Sequence, residues 1–194
     1  MNDFGTRWDA EQELGDATPP VDAVAGGGEP ARTGGRTPAR IAASAQNPEG
    51  PRGGTVLRVL GPGDVDTVAA LEARIFAEDP WSPAMVAEEL SAPGRHYVAA
   101  LVEGEAIGYA GIRIGGDCDV MTIGVVEAHR GCGVGTLLLE NLLAAAGRGG
   151  AHRVFLEVRA SNAAAQGLYL ARGFRRIGRV RRYFHTKKVG HAGT

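Results

Sequence analysis

HRGCGVGTLLLENLLAAA, residues 129–146, decides the reading of this chain. Glycines alternate at 131, 133 and 135, and Val134, Leu138, Leu142 and Ala145 then recur at helical spacing. The run DVMTIGVV at 119–126 lies just before, too continuously apolar for an edge and therefore predicted as a central strand. Strand, glycine turn and helix together gather backbone N–H groups at the positive end of a helix dipole, an arrangement that binds phosphate. Spacing excludes two common forms of it. No Lys closes the loop as a Walker sequence requires, and alternating glycines do not make G-x-G-x-x-G.

Working outward, residues 55–60 (TVLRVL) read as a strand. A helix capped by Asp64 carries Val68, Leu71 and Ile75 and ends before Pro80. Ser82 and Pro83 open a second short helix through about Leu90. Residues 96–102 and 106–114 form a hairpin around Glu103 and Gly104. Beyond the glycine loop and its helix come a strand at 153–158 (RVFLEV), a helix capped by Asn162 and closed by Gly173, and a strand at 174–184. This order predicts a mixed α/β fold without internal repeats.

Composition divides the chain. Residues 1–54 hold 16 of its 40 Gly and Pro but five Leu, Ile, Val or Phe, too little apolar material to offset conformational entropy, so the segment is predicted disordered. The folded domain is expected at 55–184 and a flexible tail at 185–194. A net charge of −1 argues against a nonspecific nucleic-acid binder, and no direct nucleic-acid binding is expected. Charge is polarised: residues 56–127 carry twelve acids against four Arg, while 172–194 carry six Arg, two Lys and no acid. Cys118 and Cys132 match neither a disulfide framework nor a zinc site, so no metal is expected. Absence of a signal-like start or an 18-residue apolar run makes the expected location cytoplasmic, with no membrane partner.

The blocks TIGV at 122–125, RGCGVG at 130–135 and EVRASNAAA at 157–165, followed by Leu168-Tyr169 and Gly173-Phe174, resemble the GNAT superfamily of N-acetyltransferases. Within it they look like the bacterial ribosomal-protein alanine N-acetyltransferases of the RimI type, over roughly residues 56–184. The resemblance implies a mixed, mostly antiparallel sheet flanked by helices, acetyl-CoA as cosubstrate, and a protein N-terminus, a ribosomal protein's among them, as acceptor. It implies that a strand in the position of 119–126 bulges, at Gly124, and splays from its neighbour so that backbone of Ile123, Gly124 and Val125 meets the pantetheine. Arg130, Gly131, Gly133, Val134, Gly135 and Thr136 would hold the pyrophosphate, and Asn162 would add a hydrogen bond to CoA. Glu157 corresponds to the general base and Tyr169 to the general acid.

The residues themselves leave alternatives open. Glu157 interrupts an apolar strand, which suits either a base or the outward side of a two-faced sheet. Tyr169 lies four residues after Ala165 and is equally a core aromatic by periodicity. Acceptor contacts would lie in variable segments such as 81–90 and 179–184, so a lysine or small-amine acceptor stays open, as does a nonenzymatic CoA-binding module. Three departures stand out: Cys132 where a basic residue is common, Gly167 inside a helix, and HTKKVGHAGT at 185–194 where the superfamily's last strand would be. That strand is therefore read as missing, and residues 174–184 as a loosely held edge.

Overall fold

A computed structural model describes residues 5–11 and 54–180. The strands are β1 Gly5–Glu11, β2 Val56–Leu60, β3 Arg95–Val102, β4 Glu105–Arg113, β5 Asp117–Val125, β6 Arg153–Arg159 and β7 Arg175–Val180. The helices are α1 Val65–Ile75, α2 Pro83–Ser91, α3 Val134–Arg148 and α4 Ala163–Ala171. One seven-stranded sheet runs in the order β2-β3-β4-β5-β6-β1-β7. Every neighbouring pair is antiparallel except β5 and β6.

Local chemistry explains the boundaries. Glu103 and Gly104 both take positive φ, 50° and 84°, the twist that a two-residue hairpin needs between β3 and β4. Ser82 caps α2 by accepting from the Met85 amide at 3.3 Å. Asp64, expected to cap α1, makes no side-chain cap; its carboxylate instead accepts from the Gly61 amide at 2.9 Å and from Arg58 at 2.7 Å. The Gly61 amide and then Arg58 hold that carboxyl below the ordinary range, so Asp64 fastens the turn ahead of the helix.

Side chains alternating along the strands make two cores. One face packs α3 and α4 through Val134, Leu138, Leu142 and Tyr169 against Val98, Ile112, Leu156 and Phe174. The other packs α1 and α2 through Leu71 and Val86 against Leu60, Tyr97 and Tyr109. Among the described residues, the strand side chains of this second core come only from β2–β5, and β6 and β1 leave theirs outside it.

The expectation for residues 1–54 fails at Gly5–Glu11. These residues form β1, paired with β6 from Gly5↔Arg159 to Glu11↔Arg153 and with β7 from Gly5↔Val180 to Asp9↔Arg175. Counting Leu, Ile, Val and Phe overlooked Trp8 and Ala10, each 3% exposed in the larger core, and overlooked the period-two pattern that puts Arg7 and Asp9 on the other face. The remainder of that segment, residues 1–4 and 12–53, lies outside the described residues, as does the tail 185–194. β1 occupies the place between β6 and β7, so the described sheet is not short of a strand. The loose edge expected at 174–184 is thereby corrected for Arg175–Val180, the outer strand of the sheet, which pairs with β1 at every residue but Ile177; 181–184 lie outside the described residues.

Trp8→Ala should lower unfolding free energy by about 3–5 kcal/mol, as for other buried aromatics, measured by urea denaturation. A change under about 0.5 kcal/mol, typical of surface positions, would place β1 outside the fold.

Candidate functional site

β5 and β6 pair over three rungs, Asp117↔Arg153, Cys118↔Val154 and Asp119↔Phe155. Beyond the third rung they part: β5 continues along β4 while β6 continues along β1. Beyond that rung the facing edges of the two strands are no longer joined by a β5–β6 ladder. The bulge predicted at Gly124 lies elsewhere. The β4–β5 register slips between Gly111 and Ile112, where Thr122 and Val120 are successive partners and Met121 is the extra residue. Gly124 serves a different need: a Cβ there would lie 2.8 Å from Ile75 Cγ2 and 2.9 Å from Phe76 Cζ, so the end of α1 requires glycine. Ile123 and Val125 turn to the other face and pack against the α3 core, which leaves their backbone as the part able to meet a ligand.

The loop after β5 ends at the N-terminus of α3. Gly131 and Gly133 take φ of 76° and 84°, and a Cβ on either would meet nothing within 4 Å. These left-handed residues turn the chain so that the first-turn amides of α3, at Val134, Gly135 and Thr136, lack helical acceptors and face open space beside the glycines. A pyrophosphate fits this cradle by charge and by room. The Val134 side chain is buried in the core, so only its backbone can contribute. Arg130 does not reach out from the loop through its Nε, which donates to the Val125 carbonyl at 3.0 Å and ties the loop to the end of β5. Asn162 caps α4, accepting from the Ala165 amide at 3.0 Å.

Glu157 projects from the β6 face opposite Val154, Leu156 and Val158 and is partly exposed. Arg7 lies directly across from it on β1, with Nη1 3.8 Å from the Glu157 carboxylate, Nη2 3.5 Å from Asp119, and its guanidinium carbon 4.7 Å from the Phe155 ring centroid. Tyr169 is buried, its ring 5.8 Å from that of Phe174. Glu157 and Tyr169 therefore arise from opposite faces of the sheet. Among the described residues no group of three or more His, Cys, Asp or Glu comes together that could hold a metal ion, and no helix is long and apolar enough to cross a membrane.

Sequence reasoning missed Arg7, Asp119 and Glu72. Glu72 is fully buried, accepting from the Trp81 amide at 2.6 Å and from the Tyr109 hydroxyl; Thr122 donates to that hydroxyl oxygen at 3.3 Å. Burial, then the charge of Glu72, pushes the Tyr109 hydroxyl far above its ordinary range, so it remains a proton donor. This network joins the α1–α2 connection to β4 and β5. Its signal was present in the sequence as an acid beside Leu71 on the apolar stripe of a helix.

Residues 66–174 match the profile of the Acetyltransferase (GNAT) family. The chain is 47% identical over 127 residues to the N-alpha-acetyltransferase RimI of Mycobacterium tuberculosis, covering 62% of this chain and 78% of that protein. It is 29% identical over 142 residues to an N-alpha-acetyltransferase of Sulfolobus acidocaldarius, covering 66% and 84%. The ribosomal-protein-S18-alanine N-acetyltransferase of Escherichia coli superposes with a TM-score of 0.57 at 27% identity, over 61% of this chain and 76% of that one.

Gly124→Val should cost about 1–3 kcal/mol in stability, because Ile75 and Phe76 must move to admit the side chain. Calorimetry checks this, and an unchanged melting temperature would mean that the α1 end does not press on β5.

Proposed function

The chain belongs to the GNAT acetyltransferase family, and on that footing we propose that it transfers the acetyl group of acetyl-CoA to the α-amine of a protein N-terminus, an N-terminal alanine of a ribosomal protein being the first candidate. The observation that carries this reading is the opening between β5 and β6 beside the α3 N-terminus, with an acid on β6. Kinship with N-alpha-acetyltransferases supports a protein α-amine over a lysine or small amine.

Acetyl-CoA supplies an acetyl group activated as a thioester. The amides of Gly131, Gly133, Val134, Gly135 and Thr136 would hold its pyrophosphate, with Asn162 and the backbone of Ile123, Gly124 and Val125 along the pantetheine. Arg130 holds the loop in shape, and its free guanidinium nitrogens remain for a phosphate. An N-H near Val125 would stabilise charge on the acetyl carbonyl oxygen. An α-amine has a reference pKa of about 7.7–8.0, so near neutrality it must lose a proton before it can attack, and Glu157 accepts that proton directly or through water. The Tyr169 hydroxyl returns a proton to the departing sulfur. Trp81, fastened through its amide to Glu72, begins the segment that would flank the acceptor.

Purified protein given acetyl-CoA and an Ala-initiated peptide should release thiol and add one acetyl group to the peptide N-terminus, located by mass spectrometry. Acetylation confined to an internal lysine would move the assignment to the side-chain reading. Binding of CoA with no turnover on any amine would favour the nonenzymatic module.

Two variants divide binding from chemistry. Glu157→Gln should lower kcat by about 10²- to 10⁴-fold while CoA affinity by calorimetry stays the same. Retention of more than half the activity removes Glu157 from the mechanism. Gly133→Asp adds a carboxylate and an unfavourable backbone to the cradle, so CoA binding should be lost; ordinary affinity would sink the loop assignment.

A further inference from the structure

Arg7 stands inside a series of alternating charges drawn from four strands: Arg113 on β4, Asp119 on β5, Arg7 on β1 and Glu157 on β6. Arg113 bonds Asp119, Asp119 holds one arm of the Arg7 guanidinium at 3.5 Å, and the other arm lies 3.8 Å from Glu157. The same guanidinium covers the Phe155 ring, which fixes its plane from below. On the other side of β1, Arg7 faces Gly178, which offers no side chain to compete for it. The β1–β7 register slips next to this pair, with Ile177 of β7 as the extra residue, so β1 itself keeps its alternation and holds Arg7 on the face of Glu157. Arg7 and Glu157 are partly exposed, and ion pairs of that kind contribute little to stability, so this arrangement calls for a reason other than holding the sheet.

We propose that Arg7 is a positioning residue for acetyl transfer: anchored by Asp119 and Phe155 at the last rung shared by β5 and β6, it fixes the Glu157 carboxylate for proton acceptance. β1 then completes the active site as well as the sheet. This inference rests on the reading of Glu157 as the general base. Loss of the Arg7 contact would turn the carboxylate from its productive geometry, which lowers the rate without weakening cofactor binding.

The test uses the full chain with Arg7→Met, Arg7→Lys, Glu157→Gln and the Arg7→Met/Glu157→Gln double variant, assayed with saturating acetyl-CoA and an Ala-initiated peptide. Arg7→Met keeps an apolar stem over Phe155 and should lower kcat about ten- to a hundredfold, with the KM for acetyl-CoA within about twofold of wild type. Arg7→Lys should recover most of that loss, since the charge returns. In the Glu157→Gln background, Arg7→Met should cost nothing further. An equal loss in both backgrounds would make Arg7 a structural residue and overturn the proposal, as would wild-type kcat in Arg7→Met. Should Arg7→Met fail to fold, Asp119→Asn leaves β1 intact and removes the anchor; its kcat should fall in the wild-type background and not in Glu157→Gln, and any other pattern rejects the proposal. Full activity in Glu157→Gln overturns the base assignment and this inference together, whereas an inactive Glu157→Gln beside an unaffected Arg7→Met overturns this inference alone.

Discussion

Parallel strands β5 and β6 share three rungs and then separate, and the rest of the molecule is arranged around that separation. A sheet that stayed zipped would satisfy its own backbone and offer nothing to a ligand. Here the fork opens toward the glycine loop at the head of α3, so a strand edge freed from its neighbour and a helix terminus converge on one region. Two features mark β5 beside the fork: the extra residue Met121 opposite β4, and Ile75 and Phe76 at the end of α1, close against Gly124.

Once β6 has left β5, it needs a partner on its other side along its whole length. β1 supplies one, in register from Gly5↔Arg159 to Glu11↔Arg153, and in turn accepts β7. The alternation in GTRWDAE meets two needs at once: Trp8 and Ala10 enter the core under α3 and α4, and Arg7 stands on the opposite face next to the acid of β6. Filling the sheet and furnishing a cation beside Glu157 are thus one event.

Most of the domain was legible because its signals are local. The glycine loop, the Ser82 and Asn162 caps, the hairpin at Glu103 and Gly104, and the period of α3 each depend on neighbours in sequence, and each stands where the residues indicated. Most of what escaped depends on residues distant in sequence. β1 has too few aliphatic residues to announce itself, and its partners lie at the far end of the chain. Gly124 was read as a bulge because a glycine in a strand carries no mark of what presses against it. Asp64 has the composition of a cap, but Arg58 and the Gly61 amide compete for its carboxylate. Glu72 was passed over because its partners, the Trp81 amide and Tyr109, belong to other elements.

The place of β1 also orders events during synthesis. Residues 5–11 are made before every strand they pair with, and Trp8 must wait for Leu156 and then Arg176. Until β6 and β7 have been translated, the strand that carries the indole has no partner to pair with. Pairings between such distant segments carry a high cost in loop-closure entropy and come late in folding. The antiparallel β2-β3-β4-β5 ladder, whose partners are close in sequence, can form while translation is still under way. The nascent chain therefore acquires its acid-bearing strand and the arginine opposite it only near the end, and an incompletely made polypeptide lacks this pairing.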